Sequence, residues 1–430
     1  MKTKYKLQNF ANGNLFEDTG WLLADPDDNG ASLIRAVYDQ KELRVGEESL
    51  GIYKFSDWLP VNRFLKGSSS TVTYKSEKLA GLLNLPNLYI SFSGYWPEKG
   101  AGMTTCSFKE TEAYSVCARM YPGQKGVMVV ASAGNTARAF AKVCSENNIP
   151  LLLVVPEDNL DSLWFKDALN DNIKLVCTPC GSDYFDAIDL SNKICTSQMF
   201  FEEGGAKNVA RRDGMGTTVL SAATFIGKIP DYYFQAIGSG TGTIAAWEAN
   251  LRLIEDGRFG SNKMILLPSQ NYPFTPMFDA WRAKSRDIVF SDENVARENA
   301  LKIDAKVLSN RRPPYSVPGG LFDALRDTSG DIESVTNSEL KNACDIFERE
   351  EGIDIHPAAG VALAGMIKSV ESNKVNRESV LMLNITGGGE FRLKSEITPY
   401  YLKPNLILSN RCDIITIVKK VESIFNKSEL

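Results

Sequence analysis

The sequence is poor in histidine, since His356 is the only one among 430 residues. A hydrolase built on a serine, a histidine and an acid would have to place all its acid–base chemistry there, and a histidine-rich metal site is excluded. His356 precedes Pro357 and a run of small residues, a pattern typical of the first turn of a helix. We therefore interpret it as the start of a helix rather than as a catalytic base.

Long apolar runs and long runs of one charge are also missing. No stretch approaches the roughly 18 apolar residues of a membrane span, and the N-terminal segment lacks the apolar core of a signal peptide. The net charge is −5, from 48 basic and 53 acidic residues, without a basic stretch suited to a polyphosphate backbone. We expect a cytoplasmic protein that binds neither nucleic acid nor membrane.

The eight cysteines form no framework that predicts disulfides or zinc. Most lie in apolar patterns, where a free thiol behaves as a small hydrophobe, which fits a reducing compartment. Cys177 and Cys180 form the only CxxC, and a structural zinc site would need a second pair that the sequence does not contain. We expect no metal ion.

From residue 126 onward, apolar runs alternate with segments of helical spacing. The runs cover 126–132, 150–156, 173–179, 231–237, 264–270 and 379–386, and a further strand is predicted at 87–93. The helical segments cover 136–147, 164–172, 183–195, a long stretch from 208 to Gly227, and 243–256. Such alternation, with continuous Val, Leu and Ile, is typical of parallel sheets covered on both faces.

The predicted fold class is α/β, with two open domains of mostly parallel sheets and the site in the cleft between them. We predict an extension leading into the core over residues 1–100, one α/β domain over 101–225, a second over 226–400 and a tail over 401–430. Residues 310–320, rich in Pro, Arg and Gly, are predicted to form a loop. Ligands of open parallel sheets bind beyond the carboxyl ends of the strands.

A glycine-rich segment follows the strand predicted at 231–237 and precedes a helix. Its glycines leave backbone amides free to converge on an anion at the helix start, which predicts a phosphate site. A dinucleotide fingerprint would need a glycine where Thr243 stands, and a P-loop would need a lysine that is absent here. A glycine-rich turn without a ligand is the alternative. We call this segment the phosphate cup; it consists of Gly238, Ser239, Gly240, Thr241, Gly242 and Thr243.

The segment Ser132–Thr136 closes the strand predicted at 126–132 and opens the next helix. Asn135 suits the N-cap position, and the first amides of a helix lack partners, so the turn can hold a carboxylate. The Asn135 amide can also hydrogen-bond a phenolate oxygen on a cofactor ring. An ordinary cap without a ligand is the alternative.

Lys109 and Thr386 complete the candidate site. Lys109 follows a small, semi-apolar lead-in, where partial desolvation would lower the pKa of its amine and suit it to a Schiff base. A solvated surface lysine is the alternative. Thr386 ends a predicted strand and leads into three glycines, so its hydroxyl can be presented at the strand tip. A neutral hydroxyl facing a pyridine nitrogen would favour elimination at the β carbon.

The order SFK, SAGNT, GSGTGT and TGGG resembles the fold type II pyridoxal-phosphate enzymes of the threonine synthase branch, over about residues 65–395. More narrowly, it resembles the members of that branch with which methanogenic archaea make L-cysteate on the way to coenzyme M. The resemblance implies that Lys109 carries pyridoxal 5'-phosphate, that Asn135 contacts the ring hydroxyl and that Thr386 meets the ring nitrogen. It also implies that the phosphate cup holds the cofactor phosphate and that the substrate carboxylate is received by Ser132, Gly134 and Thr136.

The sequence departs from the threonine synthase pattern where substrate is handled. TGSFKDR is replaced by TCSFKET, and a GEG-type stretch by GSSS at 67–70, which argues against phosphohomoserine. The resemblance implies a β-replacement of the phosphate of O-phospho-L-serine by sulfite, through an aminoacrylate intermediate, with Lys109 as anchor, base and acid. The alternatives are a threonine synthase, a cysteine synthase that uses phosphoserine or, outside the enzymes, a nucleotide-binding regulatory module.

Both the leaving group and the nucleophile of this reaction are anions, so an unpaired cation is expected in the pocket. Arg392, just beyond Gly389, is a candidate, and a surface or ion-paired arginine is the alternative. The resemblance also implies a homo-oligomer, either a dimer or a trimer.

Overall fold

The computed structural model describes residues 3–28, 30–121, 123–132, 134–290 and 292–425. The strands within these ranges are β1 (Tyr5–Asn9), β2 (Leu15–Phe16), β3 (Ile34–Tyr38), β4 (Val72–Lys75), β5 (Leu88–Phe92), β6 (Tyr95–Trp96), β7 (Ala101–Gly102), β8 (Val127–Ala131), β9 (Leu151–Pro156), β10 (Trp164–Phe165), β11 (Ile173–Thr178), β12 (Phe200–Glu202), β13 (Tyr232–Ala236), β14 (Ile265–Asn271), β15 (Glu333–Val335), β16 (Leu381–Ile385), β17 (Tyr400–Tyr401) and β18 (Leu406–Ile407).

The α-helices are α1 (Lys78–Leu83), α2 (Lys109–Arg119), α3 (Asn135–Glu146), α4 (Tyr184–Ile194), α5 (Val209–Ile226), α6 (Thr241–Asp256), α7 (Pro276–Arg282), α8 (Glu293–Lys302), α9 (Leu321–Asp327), α10 (Asn337–Glu351), α11 (Pro357–Glu371), α12 (Glu390–Glu396) and α13 (Ile414–Ser423). Short 3-10 helices cover Glu48–Trp58, Pro97–Lys99, Glu157–Ser162, Gly205–Lys207 and Lys306–Leu308. Among the described residues, no helix is both long and apolar enough to cross a bilayer.

Two sheets position the site. The larger has the strand order β15-β14-β13-β16-β5-β4 and is parallel except for β4, which runs antiparallel to β5. The smaller has the order β12-β8-β9-β11-β18 and is parallel throughout. Their strands read as continuous apolar runs because helices cover both faces, as in β9, where every residue is buried. The α/β class with mostly parallel sheets is confirmed.

Each sheet takes strands from outside the residue ranges predicted for the domains. The six-stranded sheet includes β4 and β5, which precede residue 100, and the five-stranded sheet includes β18, which follows residue 400. The predicted division at residues 100, 225 and 400 stays a prediction. Residues before 100 and after 400 therefore contribute strands to the two sheets.

Most elements predicted from periodicity are present, including the strands at β5, β8, β9, β11, β13, β14 and β16 and the helices α3 to α6. The helix predicted at 164–172 is wrong. Trp164 and Phe165 instead form β10, which pairs antiparallel with Tyr400 and Tyr401 of β17. This pairing joins residues more than 200 positions apart, so no local pattern could indicate it.

Helix α5 passes through the interior and packs on both α2 and α6. The approach of α5 to α2 depends on Gly214, since a Cβ there would lie 2.4 Å from the Thr111 carbonyl oxygen. This close packing brings the side chains of α5 to the start of α2, where Lys109 stands. The site described next depends on this contact.

Candidate active site

A cleft of about 640 Å³ opens at the carboxyl ends of β8, β13 and β16. Most of the predicted site residues line it, and they come from four separate segments of the chain. They are Lys109, Ser132, Gly134, Asn135, Thr136, Gly238, Ser239, Gly240, Thr241, Gly242 and Thr386. Thr243 and Arg392 are not part of this lining.

The start of α2 is fixed to the segment that carries Thr386. The Phe108 amide donates to the Thr386 carbonyl oxygen at 2.9 Å, and Ser107 forms a β-bridge with Gly387. Upstream, the Glu110 carboxylate accepts a hydrogen bond from the Thr105 amide at 2.7 Å. Lys109 and Thr386 are therefore held side by side by backbone contacts.

The Lys109 amine is largely enclosed, with 21% of the side chain exposed. Its Nζ lies 3.1 Å from Oε2 of Glu112 and 4.8 Å from the centre of the Phe108 ring. Burial lowers the pKa of this amine from its usual value, and the Glu112 carboxylate opposes that effect. The amine is thus closer to its neutral, nucleophilic form than a surface lysine.

The turn before α3 is capped differently from the sequence prediction. Ser132 Oγ accepts hydrogen bonds from the amides of Gly134 and Ala137, both at 3.1 Å, so Asn135 is the first residue of the helix and not its cap. The side chains of Asn135 and Thr136 line the cleft and bond to no other described residue. The amide and the hydroxyl therefore remain available to a ligand.

The phosphate cup has the geometry expected of an anion site. Gly240 adopts φ +77°, which a residue with a side chain rarely does, and α6 begins at the next residue. The amides of Ser239, Gly240 and Gly242 donate to no other described residue, and the Ser239 and Thr241 hydroxyl oxygens lie 2.8 Å apart. These free donors at a helix start fit a phosphate.

Thr243, the last residue of the phosphate cup, does not line the cleft. It is fully buried, and its amide donates to the Gly240 carbonyl oxygen at 3.0 Å within the first turn of α6. Its backbone donor is therefore already used. Thr243 shapes the cup, and the exposed donors come from the preceding residues.

His356 lines the cleft as well, which the sequence interpretation did not include. The prediction that it starts a helix is confirmed, because it caps α11 with Nδ1 accepting from the Ala358 amide at 3.1 Å. Its own amide donates to the Gly387 carbonyl oxygen at 3.0 Å. Burial lowers the pKa of the imidazole to about 4, so the ring is neutral at pH 7.

Arg138, which was not predicted as a site residue, connects three segments near the cleft: α3, the segment before Lys109 and the start of α12. It lies on α3 and donates to the carbonyl oxygens of Thr105, at 2.8 Å, and Ser162, at 3.1 Å. Its guanidinium lies 4.3 Å from the centre of the Trp164 ring and 3.9 Å from Glu390 at the start of α12. The sequence contains no signal for this role beyond the helical position of Arg138.

The structure does not bring Arg392 into the cleft, which corrects the expectation that it binds an anionic substrate. Its side chain is 41% exposed and forms ion pairs with Glu98 at 2.9 Å and Glu396 at 2.6 Å. Both carboxylates already neutralise the guanidinium. Arg392 is therefore an ion-paired surface arginine, which was the alternative interpretation of its sequence position.

A family described as pyridoxal-phosphate dependent enzyme matches residues 98–387. This range holds every segment that lines the cleft with a predicted site residue. The chain belongs to this family of pyridoxal-phosphate dependent enzymes, and pyridoxal phosphate is its cofactor.

The chain is also similar to individual curated proteins over most of its length. The cysteate synthase of Methanosarcina acetivorans is 48% identical over 384 residues, which cover 89% of this chain and 92% of that protein. The cysteate synthase of Methanocella paludicola is 48% identical over 379 residues, covering 88% of each protein.

Solved structures share the fold at low sequence identity. Maize serine racemase has a TM-score of 0.54 at 14% identity, over 83% of this chain and 93% of that one. The processed form of threonine deaminase isoform 2 from Solanum lycopersicum has a TM-score of 0.53 at 16% identity, over 76% of this chain and 82% of that one. These likenesses establish the fold type II architecture.

Proposed function

We propose that this enzyme forms L-cysteate by replacing the phosphate group of O-phospho-L-serine with sulfite, releasing inorganic phosphate. Two lines of support converge on this reaction. The relatives that match nine-tenths of the chain are named cysteate synthase. One cleft brings together an amine, a set of unused phosphate-binding amides and a polar hydroxyl. That convergence is the observation on which the proposal rests.

The residues of the cleft fit pyridoxal 5'-phosphate. We propose that Lys109 binds it covalently through Nζ, that the free amides of the phosphate cup bind its phosphate, and that Asn135 and Thr386 contact its ring. When bound, the cofactor supplies the electron sink that allows the α proton and then the β substituent of an amino acid to leave. A neutral hydroxyl at Thr386, rather than a carboxylate, suits β-elimination.

The protein's own contribution is binding and proton transfer. The substrate carboxylate is assigned to the turn formed by Ser132, Gly134 and Thr136, where the Thr136 hydroxyl lines the cleft and has no other described partner. Lys109 is the group in the cleft whose amine is both enclosed and lowered in pKa, so it is suited to remove the α proton and to return it. The single histidine, His356, is committed to capping α11.

The substrate is the part of the proposal that needs a direct experiment. Purified holoenzyme should be incubated with O-phospho-L-serine and either sulfite or sulfide, and separately with phosphohomoserine and no added nucleophile. We expect L-cysteate and stoichiometric phosphate with sulfite. Cysteine as the preferred product would instead indicate a phosphoserine-dependent cysteine synthase, and threonine from phosphohomoserine would indicate a threonine synthase.

We also propose that the enzyme works in the cytoplasm as a homodimer or homotrimer. All eight cysteines are free thiols, including Cys117 and Cys144, whose sulfurs lie only 3.6 Å apart, which fits a reducing compartment. Light scattering coupled to gel filtration would measure the mass of the assembly. A monomer at micromolar concentration would contradict the proposed oligomer.

A further inference from the structure

Four side chains of alternating charge form a row along the wall of the cleft: Lys109, Arg211 and Glu203 line it, and Glu112 lies buried between Lys109 and Arg211. Lys109 Nζ lies 3.1 Å from Glu112 Oε2, and Glu112 Oε1 lies 3.4 Å from Arg211 Nη1. The Arg211 guanidinium then forms a two-point pair with Glu203, at 2.8 and 2.5 Å. We call Lys109, Glu112, Arg211 and Glu203 the charge chain.

The three inner members of the charge chain, Glu112, Arg211 and Glu203, are largely buried. The exposed fraction of the side chain is 0% for Glu112, 5% for Glu203 and 12% for Arg211. Desolvating charged groups costs several kcal/mol each, and buried ion pairs often stabilise a fold no better than apolar residues would. The Gly205 amide donates to Glu203 Oε2 at 3.0 Å, so the end of the charge chain farthest from Lys109 is also held by the backbone. An arrangement this costly next to the reactive amine points to a role at that amine.

The titratable side chains around Lys109 come from several elements of the fold. Glu112 comes from α2 itself, Arg211 from α5, and Glu203 from the segment between β12 and α5. Tyr184, from α4, is half-buried in the wall of the cleft and interacts electrostatically with Arg211. Burial and Arg211 lower the pKa of the Lys109 amine, whereas Glu112 and Glu203 raise it. The amine therefore sits between opposing influences that different parts of the fold supply.

We propose that Glu112 is a positioning residue for Lys109: it receives the ammonium form of the lysine after proton uptake, and Arg211 and Glu203 hold it in place. This inference rests on the proposed function, because it assigns Glu112 a part in the same proton transfer. The α C–H bond of the substrate breaks and an N–H bond forms at Nζ, while the electron pair stays on the substrate. The new ammonium donates a hydrogen bond to Glu112 Oε2 and later returns the same proton.

Glu112 suits this role better than its neighbour Glu110. The Glu110 carboxylate is equally buried, but it is engaged by the Thr105 amide and lies 3.4 Å from Lys142, on the side of α2 that faces α3. It makes no described contact with the Lys109 amine. Glu110 therefore provides a matched control, with the same residue type and burial on the same turn of the helix.

The test measures the Lys109 amine without any reaction of the enzyme. In the cofactor-free protein, Lys109 would be reductively methylated over a range of pH and quantified by peptide mass mapping. Glu112→Gln removes the negative charge but keeps the shape, so the pH midpoint of labelling should fall by on the order of one unit. Glu110→Gln should leave the midpoint within about 0.3 unit of the wild type, since opposite charges act mainly within ~4–6 Å.

Glu112→Asp covers the case in which the glutamine variant does not fold. It keeps the charge and moves it away from Nζ by about one C–C bond, so a smaller downward shift is expected. In the holoenzyme, Glu112→Gln should lower kcat roughly tenfold or more and move the acid limb of kcat to lower pH, because kcat reports the substrate complex, in which the Lys109 amine is free.

An unchanged or raised labelling midpoint in the Glu112 variants would overturn the inference, as would a lower rate with an unshifted pH profile. The labelling arm needs neither cofactor nor substrate. Failure of the proposed reaction, seen as absence of L-cysteate with the wild type, is therefore distinguishable from failure of the Glu112 assignment.

Discussion

The phosphate cup takes its donors from consecutive residues at the end of β13, whereas the charge chain takes its four side chains from three separate parts of the sequence. The cup presents backbone amides that have no described acceptor, and its geometry is set by a single turn. The charge chain works through side chains whose distances depend on how α2 and α5 pack. A change in the cup should therefore alter cofactor affinity, while a change in the charge chain should alter proton transfer.

The largest effect on activity is expected when Lys109, the reactive member of the charge chain, is removed. Lys109→Ala should abolish turnover, by roughly a thousandfold or more, because the amine is the proposed anchor and base. The free amides of the cup remain, so the variant should still bind pyridoxal phosphate without a covalent bond. Borohydride reduction followed by peptide mapping would check this, with label at Lys109 in the wild type and none in the variant.

Lys193→Ala is the control for the lysine substitution, because Lys193 pairs with Asp189 on α4 and does not line the cleft. It should keep both activity and label. An active Lys109→Ala protein with covalently bound cofactor would remove the central assignment of the site.

The next effect concerns the cup alone. Gly240→Val places a branched side chain where φ is +77° and a Cβ would lie 3.0 Å from the Leu321 side chain. The strain of about 1–3 kcal/mol should distort the turn and weaken pyridoxal phosphate binding by roughly 10- to 100-fold. Fluorescence titration of the cofactor-free protein would measure the affinity.

Gly227→Val is the matched control for Gly240→Val. Gly227 has φ +82° at the end of α5, a Cβ there would contact nothing within 4 Å, and it does not line the cleft. It should cost similar stability while leaving cofactor affinity unchanged. Equal losses of affinity in both variants would mean that general destabilisation, and not the geometry of the cup, explains the result.

The same contrast explains how much could be predicted from the sequence. Several site features each consist of contiguous residues, so periodicity and turn chemistry could indicate them. They are the strands β8, β13 and β16, the phosphate cup and the Ser132–Thr136 turn. The resemblance to a known family then related them to one cofactor. These are also the segments that the family match covers.

Features that depend on distant contacts could not be predicted. In the sequence, Arg211 has the pattern of an ordinary helical residue. Its place beside Glu112 depends on the close approach of α5 to α2, which Gly214 allows. The strand β10 reads as a helix because its partner β17 lies far along the chain. The N-cap position of α3 is Gly134, one residue before the expected Asn135, and Ser132 Oγ accepts from the Ala137 amide of the first turn. Residue preference alone does not resolve this arrangement.

A smaller effect is expected at His356, where the backbone of the Thr386 segment meets α11. The pKa of the His356 imidazole is about 4 in the folded protein, below the usual value of 6.5. The unfolded chain therefore binds a proton at His356 more readily than the folded protein does. The resulting stabilisation is fully present above pH 6.5 and is lost as pH falls towards 4. Its size should be on the order of 2 kcal/mol, allowing for partial exposure of the ring.

His356→Asn would isolate this contribution, because asparagine also caps helices but does not titrate. Urea unfolding at pH 7 and pH 4.5 should show a steeper loss of stability in the wild type than in the variant. Parallel losses in the two proteins would assign the pH dependence to carboxylates elsewhere. The labelling midpoint of Lys109 should be the same in both, since His356 is not part of the charge chain.

The smallest effect is expected outside both regions, at Arg392. Its guanidinium is exposed and already paired with Glu98 and Glu396, so Arg392→Gln should change the KM for sulfite by less than about twofold and leave Tm unchanged. Steady-state kinetics with varied sulfite at two ionic strengths would check this. A large, salt-dependent rise in KM would mean that α12 turns this arginine towards the cleft during turnover, and a side chain outside the cup and the charge chain would then bind the incoming anion.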